Sequence, residues 1–147
     1  MMQRSVIALV LTCWMLLGCR ERLTTDLSAK PAYREVVGSR YEIVADLVAY
    51  GVKRDLQKGA EYVTLIPPPG ISGPELAFTI PIVRGSEVTV LKVMQSNRWA
   101  DADITLLVRL AGTRLPIEHE IRVDLYRGNE GAAGVLLNPK IYRKLAP

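Results

Sequence analysis

Few side chains in this sequence could carry nucleophilic or acid–base chemistry. The chain has one histidine, His119, and two cysteines, Cys13 and Cys19. A Ser-His-Asp arrangement needs a histidine as its general base. His119, however, falls in the apolar phase of an alternating segment, 117–126, where a partly buried ring is expected. We therefore interpret His119 as a structural residue.

Other polar motifs match known sites poorly. The stretch GISGP at 70–74 differs from the G-x-S-x-G nucleophile elbow, because its second glycine comes one residue early and a proline follows. Asp101 and Asp103, with Asn97 nearby, could offer oxygens to Ca²⁺, but they lack the ligand spacing and the bidentate Glu of a calcium loop. A carboxylate pair acting on cell-wall glycan depends on a spatial separation, so a hydrolase stays open as an alternative.

The first nineteen residues have the zones of a secretory signal. Arg4 gives a basic start, an apolar stretch covers 6–17, and Gly18 precedes a cluster of charges. A membrane-spanning helix needs roughly 20 apolar residues, so this run is too short to span. We expect the segment to be cleaved.

The residues at the cleavage point suggest a lipid anchor. Leu16, Leu17, Gly18 and Cys19 resemble the lipobox of bacterial lipoproteins. The resemblance implies that Cys19 becomes the first mature residue and carries a diacylglycerol and an amine-linked acyl chain. It also implies an envelope location, and Arg20 in place of Asp favours the outer membrane, facing the periplasm, in an organism with two membranes. The alternative is an ordinary secretory signal with a chance cysteine.

Cleavage changes what the mature chain can do. It removes Cys13, so no internal disulfide can form and the ligands for a zinc site are missing. Roughly 130 residues remain, enough for one domain with a core of its own. Eighteen Lys and Arg against fifteen Asp and Glu leave a charge of +3, which we interpret as an aid to solubility. Export argues against nucleic acid as a partner.

Between the cysteine and the first strong strand pattern, charges alternate with Thr, Ser and Ala without a sustained period. We interpret this stretch as a flexible tether that would hold the domain about 25 Å from the anchor as a coil and about 70 Å when extended. Part of it could instead dock on the domain through Tyr33, Val36 and Val37. The predicted organisation is a signal peptide at 1–18, the lipidated cysteine and tether at 19–39, and one β-rich domain at 40–147.

The rest of the chain has the pattern of an all-β domain, with short β-branched runs separated by Gly, Pro, Asn and Asp. Six or seven short strands predict a small antiparallel barrel or sandwich. The stretch 84–93 loosely resembles the strand entries of bacterial SH3-like barrels. Pro81 predicts an edge or a bend, because proline cannot donate to a ladder. The predicted strands are 41–48, 62–66, 76–83, 87–93, 104–110 and 117–126, with 141–145 as a strand or a helical turn.

In the strand 117–126 we expect Ile121, Val123 and Leu125 to face the core and Arg122 and Asp124 to face water. No acidic residue follows Glu130, so the end of the chain concentrates positive charge. The candidate binding residues are Tyr126, Arg127 and Asn129 on a glycine-flanked turn, and Lys140, Tyr142, Arg143 and Lys144 in the tail.

These residues predict a binding or assembly module of the envelope, without a cofactor and without enzymatic activity, whose partner is an acidic envelope protein or polymer. Three alternatives stay open. The basic tail could be a solvated chain end that Ile141 and Leu145 pin to the domain. The protein could be a cell-wall glycan hydrolase. It could also be an inhibitor or immunity lipoprotein that acts through a protruding loop, 67–74.

Overall fold

The structure is a computed structural model, and it describes residues 22–97, 103–116, 120–132 and 136–147. Within these ranges the chain is all-β, as predicted, but it has nine strands where six or seven were expected, and one short 3-10 turn at Leu125–Arg127. The strands are β1 Leu23–Asp26, β2 Arg40–Ile43, β3 Val48–Val52, β4 Tyr62–Ile66, β5 Leu76–Pro81, β6 Glu87–Ser96, β7 Ile104–Ala111, β8 Glu120–Asp124 and β9 Tyr142–Lys144.

The strands form one sheet in the order β5-β3-β4-β8-β7-β6-β2-β9, with β1 added to β6. Every pair is antiparallel except β4 and β8, which are parallel. The sheet is therefore mixed, whereas a purely antiparallel one was expected. The order ends at β5 and β9, which leaves the sheet open. This arrangement is compatible with a sandwich or an open barrel.

The core lies on one side of the strands because apolar residues alternate along them. In β4, Val63 and Leu65 are fully buried. In β6 the inward residues are Val88, Val90 and Val93, and a register shift between β6 and β7 follows Val90. This bulge leaves Leu91 as an extra, exposed residue. Because of the extra residue, Val93 faces the core again in the second half of the strand.

The predicted strand 41–48 is interrupted. Its first residues belong to β2, which ends at Ile43, and β3 begins only at its last residue, Val48. Leu47, just before β3, is buried, and its carbonyl accepts a hydrogen bond from the Ile82 amide. The rest of β3, after Val48, was not predicted as a strand, because Gly51 weakens the strand pattern. Gly51 is required there, since a Cβ atom at this position would lie 2.3 Å from the Phe78 ring. The strand that contains Pro81 is β5, an edge strand, as predicted.

The segment interpreted as a tether is instead docked from residue 22 onward. β1 pairs with the last residues of β6, and Leu27 is 3% exposed with its amide donating to the Val93 carbonyl at 2.8 Å. Tyr33 and Val36 pack against the core, as the docked alternative expected. No strand pattern marked β1, because three of its four residues are exposed and alternation is therefore absent.

The prediction that one face of β8 is exposed to water is wrong. Arg122 and Asp124, expected to face water, are only 5% and 3% exposed. β8 lies in the interior of the sheet, between β4 and β7, and its second face is covered as well as its core face. His119, with the first residues of the predicted strand, lies outside the described residues.

Candidate functional site

The polar interior of the domain is built around Asp124 at the end of β8. Thr64 of β4 donates its hydroxyl to Asp124 Oδ2 at 2.8 Å, and Thr105 of β7 donates to Oδ1 at 2.7 Å. Arg127 Nε lies 3.5 Å from Oδ2. Both carboxylate oxygens are therefore engaged from the neighbouring strands and from the 3-10 turn. This carboxylate stabilises the sheet and is not presented to a substrate.

Two of the predicted binding residues, Asn129 and Tyr142, are buried inside the domain. Asn129 is 0% exposed, and its Nδ2 donates to the carbonyls of Leu65 and Asp124 at 2.9 and 3.0 Å. Tyr142 is 2% exposed, and its hydroxyl donates to Asn129 Oδ1 at 2.7 Å. These bonds connect β9, β4 and the end of β8. The structure therefore places both side chains beyond the reach of a partner.

The electrostatics of Tyr142 fit this structural role. Burial, and to a smaller extent the negative charge of Asp124, raises the pKa of the Tyr142 hydroxyl well above its ordinary value. The group stays protonated at physiological pH, so it remains a hydrogen-bond donor to Asn129.

A second cluster, which was not predicted, surrounds the ring of Tyr62 at the start of β4. The Arg122 guanidinium carbon lies 3.8 Å from the ring centroid, and its Nε donates to Glu120 Oε1 at 2.6 Å. Arg54 lies 5.7 Å from the same centroid and pairs with Glu61 at 2.8 Å. The parallel pairing of β4 with β8 brings Glu120 and Arg122 to Tyr62, and no local sequence pattern signals such a pairing. Arg54 and Glu61 lie in the connection between β3 and β4.

Tyr126 and Arg127, also predicted as binding residues, lie half-buried in the 3-10 turn. Arg127 Nε donates to the Tyr126 hydroxyl at 3.4 Å as well as approaching Asp124. Burial lowers the pKa of Arg127, but the hydrogen bond with Tyr126 and the charge of Asp124 outweigh it, so the net shift is upward. The guanidinium stays charged and is directed inward at Asp124.

The remaining predicted residues, Lys140, Arg143 and Lys144, are exposed at the β9 end of the sheet. β9 pairs with β2, and Arg143 forms an ion pair with Glu42, its partner in the ladder. Ile141 is buried, so the segment is pinned to the domain. We call these three basic residues, together with the groove that Lys144 lines, the β9 edge. The groove has a volume of about 410 Å³ and is lined by Glu35, Val37, Gly38, Ser39, Arg40, Lys144, Leu145, Ala146 and Pro147.

A second groove, of about 660 Å³, is lined by Arg22, Arg54, Asp55, Lys58, Gly59, Ala60 and Glu61. Its charges are largely matched within the groove. Arg54 pairs with Glu61, and Lys58 lies 3.6 Å from Asp55. Oppositely charged neighbours at such short distances cancel most of the field that an acidic ligand would encounter.

The loop 67–74 is folded against the domain at its centre. Gly70 has a φ of +77°, and a Cβ atom there would lie 1.8 Å from the Tyr50 hydroxyl. Pro67 approaches Gly128, with its Cγ 3.1 Å from where a Cβ of residue 128 would stand. The first half of this loop is therefore a cover for the second face of the sheet.

In the described part of the chain, no three His, Cys, Asp or Glu side chains group closely enough to hold a metal ion. Cys19 and Asp101 lie outside the described residues, as does His119. None of the described segments is a helix of the length and apolarity needed to cross a membrane. No family model, curated protein or solved structure matches the chain.

Proposed function

We propose that this protein is a lipoprotein, anchored to the cell envelope through Cys19, whose domain binds another envelope component at the β9 edge. The lipobox-type residues ending at Cys19 support the anchor. The observation that carries the binding role is the position of Lys140 and Lys144. Both side chains are exposed, Lys140 just before the last strand and Lys144 at its end, where it lines a groove, whereas the polar groups of the interior bond to one another.

The chemistry of the β9 edge favours an acidic partner. Arg143 is already paired with Glu42, and within the described residues Lys140 and Lys144 form no ion pair. An exposed ion pair contributes only about 0.2–1 kcal/mol. Affinity therefore requires several such pairs acting together, and it should weaken as salt shortens the screening length to about 8 Å at physiological ionic strength.

The backbone of β9 offers a second kind of contact. Among the described strands, β9 pairs with β2 alone, so its outer side is an open edge. An extended segment of a partner could add to such an edge through main-chain hydrogen bonds. The adjoining groove, where Val37 is 37% exposed, would accept its apolar side chains.

Site-specific photocrosslinking in intact cells tests this proposal. A photoreactive residue is placed at position 144, and in a matched control at Lys58, an exposed lysine of the other groove. We expect a discrete crosslinked product from position 144, which weakens when Lys140 is changed to Ser, and no such product from position 58. Equal products from both positions, or none from 144, would contradict binding at the β9 edge.

A further inference from the structure

The docking of β1 leaves very little chain between Cys19 and the folded domain. The backbone of Arg22 makes two hydrogen bonds with Asn97: its amide donates to the side-chain Oδ1 at 2.7 Å, and its carbonyl accepts from the Asn97 backbone amide at 2.9 Å. The next residue, Leu23, pairs with Ser96 of β6. Residue 22, three residues after the cysteine, is therefore already part of the domain.

Three residues set a strict limit on distance. At no more than about 3.6 Å per residue, the Cα atom of Arg22 lies within about 11 Å of the Cα atom of Cys19. A twenty-residue coil would instead have allowed an average of about 25 Å. A lipid on Cys19 must lie in the bilayer, so Arg22 cannot leave the headgroup region.

We propose that the domain is held directly against the phospholipid surface, with the Arg22–Asn97 end of β6 facing the headgroups. This inference rests on the proposed lipidation of Cys19. The exposed side chain of Arg22 suits this surface, because a guanidinium forms paired hydrogen bonds with a phosphate. The opposite end of β6, where Glu87 pairs with Ala111, lies eight or nine residues away, or about 28 Å at the rise of a strand.

This orientation determines which surface of the domain stays accessible to a binding partner. Arg143 pairs with Glu42, and Glu42 in turn pairs with Glu87, so the β9 edge lies beside the membrane-distal end of β6. A short tether thus turns the β9 edge away from the anchoring membrane.

The test measures the depth of single labelled sites in the full lipidated protein, reconstituted in vesicles of phosphatidylethanolamine and phosphatidylglycerol. The lipid blocks the thiol of Cys19, so an introduced cysteine is the single labelling site. A fluorophore is attached at Thr24→Cys, an exposed position of β1, or at Arg114→Cys, an exposed position beyond the end of β7. A quencher on the lipid headgroups reports proximity.

We expect quenching at position 24 to exceed quenching at position 114 by about threefold or more, given the distance between the two ends. A matched control inserts ten Gly and Ser residues after Glu21, which adds a coil of about 17 Å and leaves Cys19 in place. The insertion should lower quenching at position 24 to the level at position 114.

Equal quenching at the two positions in the protein without the insertion would overturn the inference, and so would quenching at position 24 that the insertion does not change. Mass spectrometry of the same samples separates this failure from failure of the anchor. A protein that carries lipid but shows equal quenching refutes the orientation alone. A protein whose mature Cys19 carries no lipid refutes both the anchor and the orientation.

Discussion

The hydrogen bond between Tyr142 and Asn129 offers a direct test of how the end of the chain is held. Replacing Tyr142 with Phe removes the hydroxyl and almost nothing else, so no cavity of consequence forms in the core. The change leaves Asn129 Oδ1 buried without its donor, since Asn129 is 0% exposed. An unsatisfied buried acceptor costs about 1–3 kcal/mol, and we expect Tyr142→Phe to lose free energy of unfolding in that range.

The size of this loss can be measured by urea unfolding of the detergent-solubilised protein, followed by circular dichroism. A domain of this kind has a total stability of about 5–15 kcal/mol, so the shift in midpoint should be clear. Tyr33→Phe is the matched control, because Tyr33 is half-buried and its hydroxyl makes no hydrogen bond within the described residues. We expect that variant to stay within about 0.5 kcal/mol of the parent.

A second variant removes the acceptor of this hydrogen bond instead of its donor. Asn129→Ala removes the acceptor for Tyr142 and also the two bonds that Nδ2 donates to the carbonyls of Leu65 and Asp124. Its loss should therefore exceed that of Tyr142→Phe. If Tyr142→Phe behaves like Tyr33→Phe, the hydroxyl contributes nothing to stability, and the structural role assigned to this bond is wrong.

Three further outcomes are expected. Burial raises the pKa of Tyr142 far above the unfolded value of about 10, so the contribution of this tyrosine to stability is fully present below that pH and should be lost at higher pH, by up to about 1.4 kcal/mol per pH unit. Alkaline unfolding of Tyr142→Phe should show a shallower slope, and an unchanged slope would contradict this assignment. Gly70→Ala should destabilise the domain in thermal unfolding by about 1 kcal/mol or more, because of its positive φ and the approach of Tyr50, and an unchanged melting temperature would mean that the loop does not cover this face. Cys19→Ser should leave the precursor uncleaved and free of label from a radioactive fatty acid, and label that persists in this variant would refute the anchor.

The all-β class was predictable because β2, β5 and the first half of β6 bury one face more than the other, and apolar and polar residues alternate in their sequences accordingly. β4 was predicted with its observed bounds, and β5, β6 and β7 were located to within a few residues. Pro81 indicated an edge strand because proline has no amide hydrogen to donate to a neighbouring strand, which is a property of the residue itself. The candidate anchor at Cys19 also depends on neighbouring residues alone, so it can be proposed before any fold is known.

Tertiary structure decided the rest, because the deciding contacts join distant parts of the chain. The alternation of residues in β8 predicted that Asp124 is exposed. Asp124 is buried because β8 lies between two strands, whose Thr64 and Thr105 donate hydrogen bonds to its carboxylate. In the same way, the basic tail suggested that Tyr142 was a contact residue, but pairing of β9 with β2 turns its ring into the core. The segment interpreted as a tether contains β1, an edge strand that is stabilised by backbone hydrogen bonds to β6. Such bonds require no alternation of polar and apolar side chains, so the sequence pattern did not predict this strand.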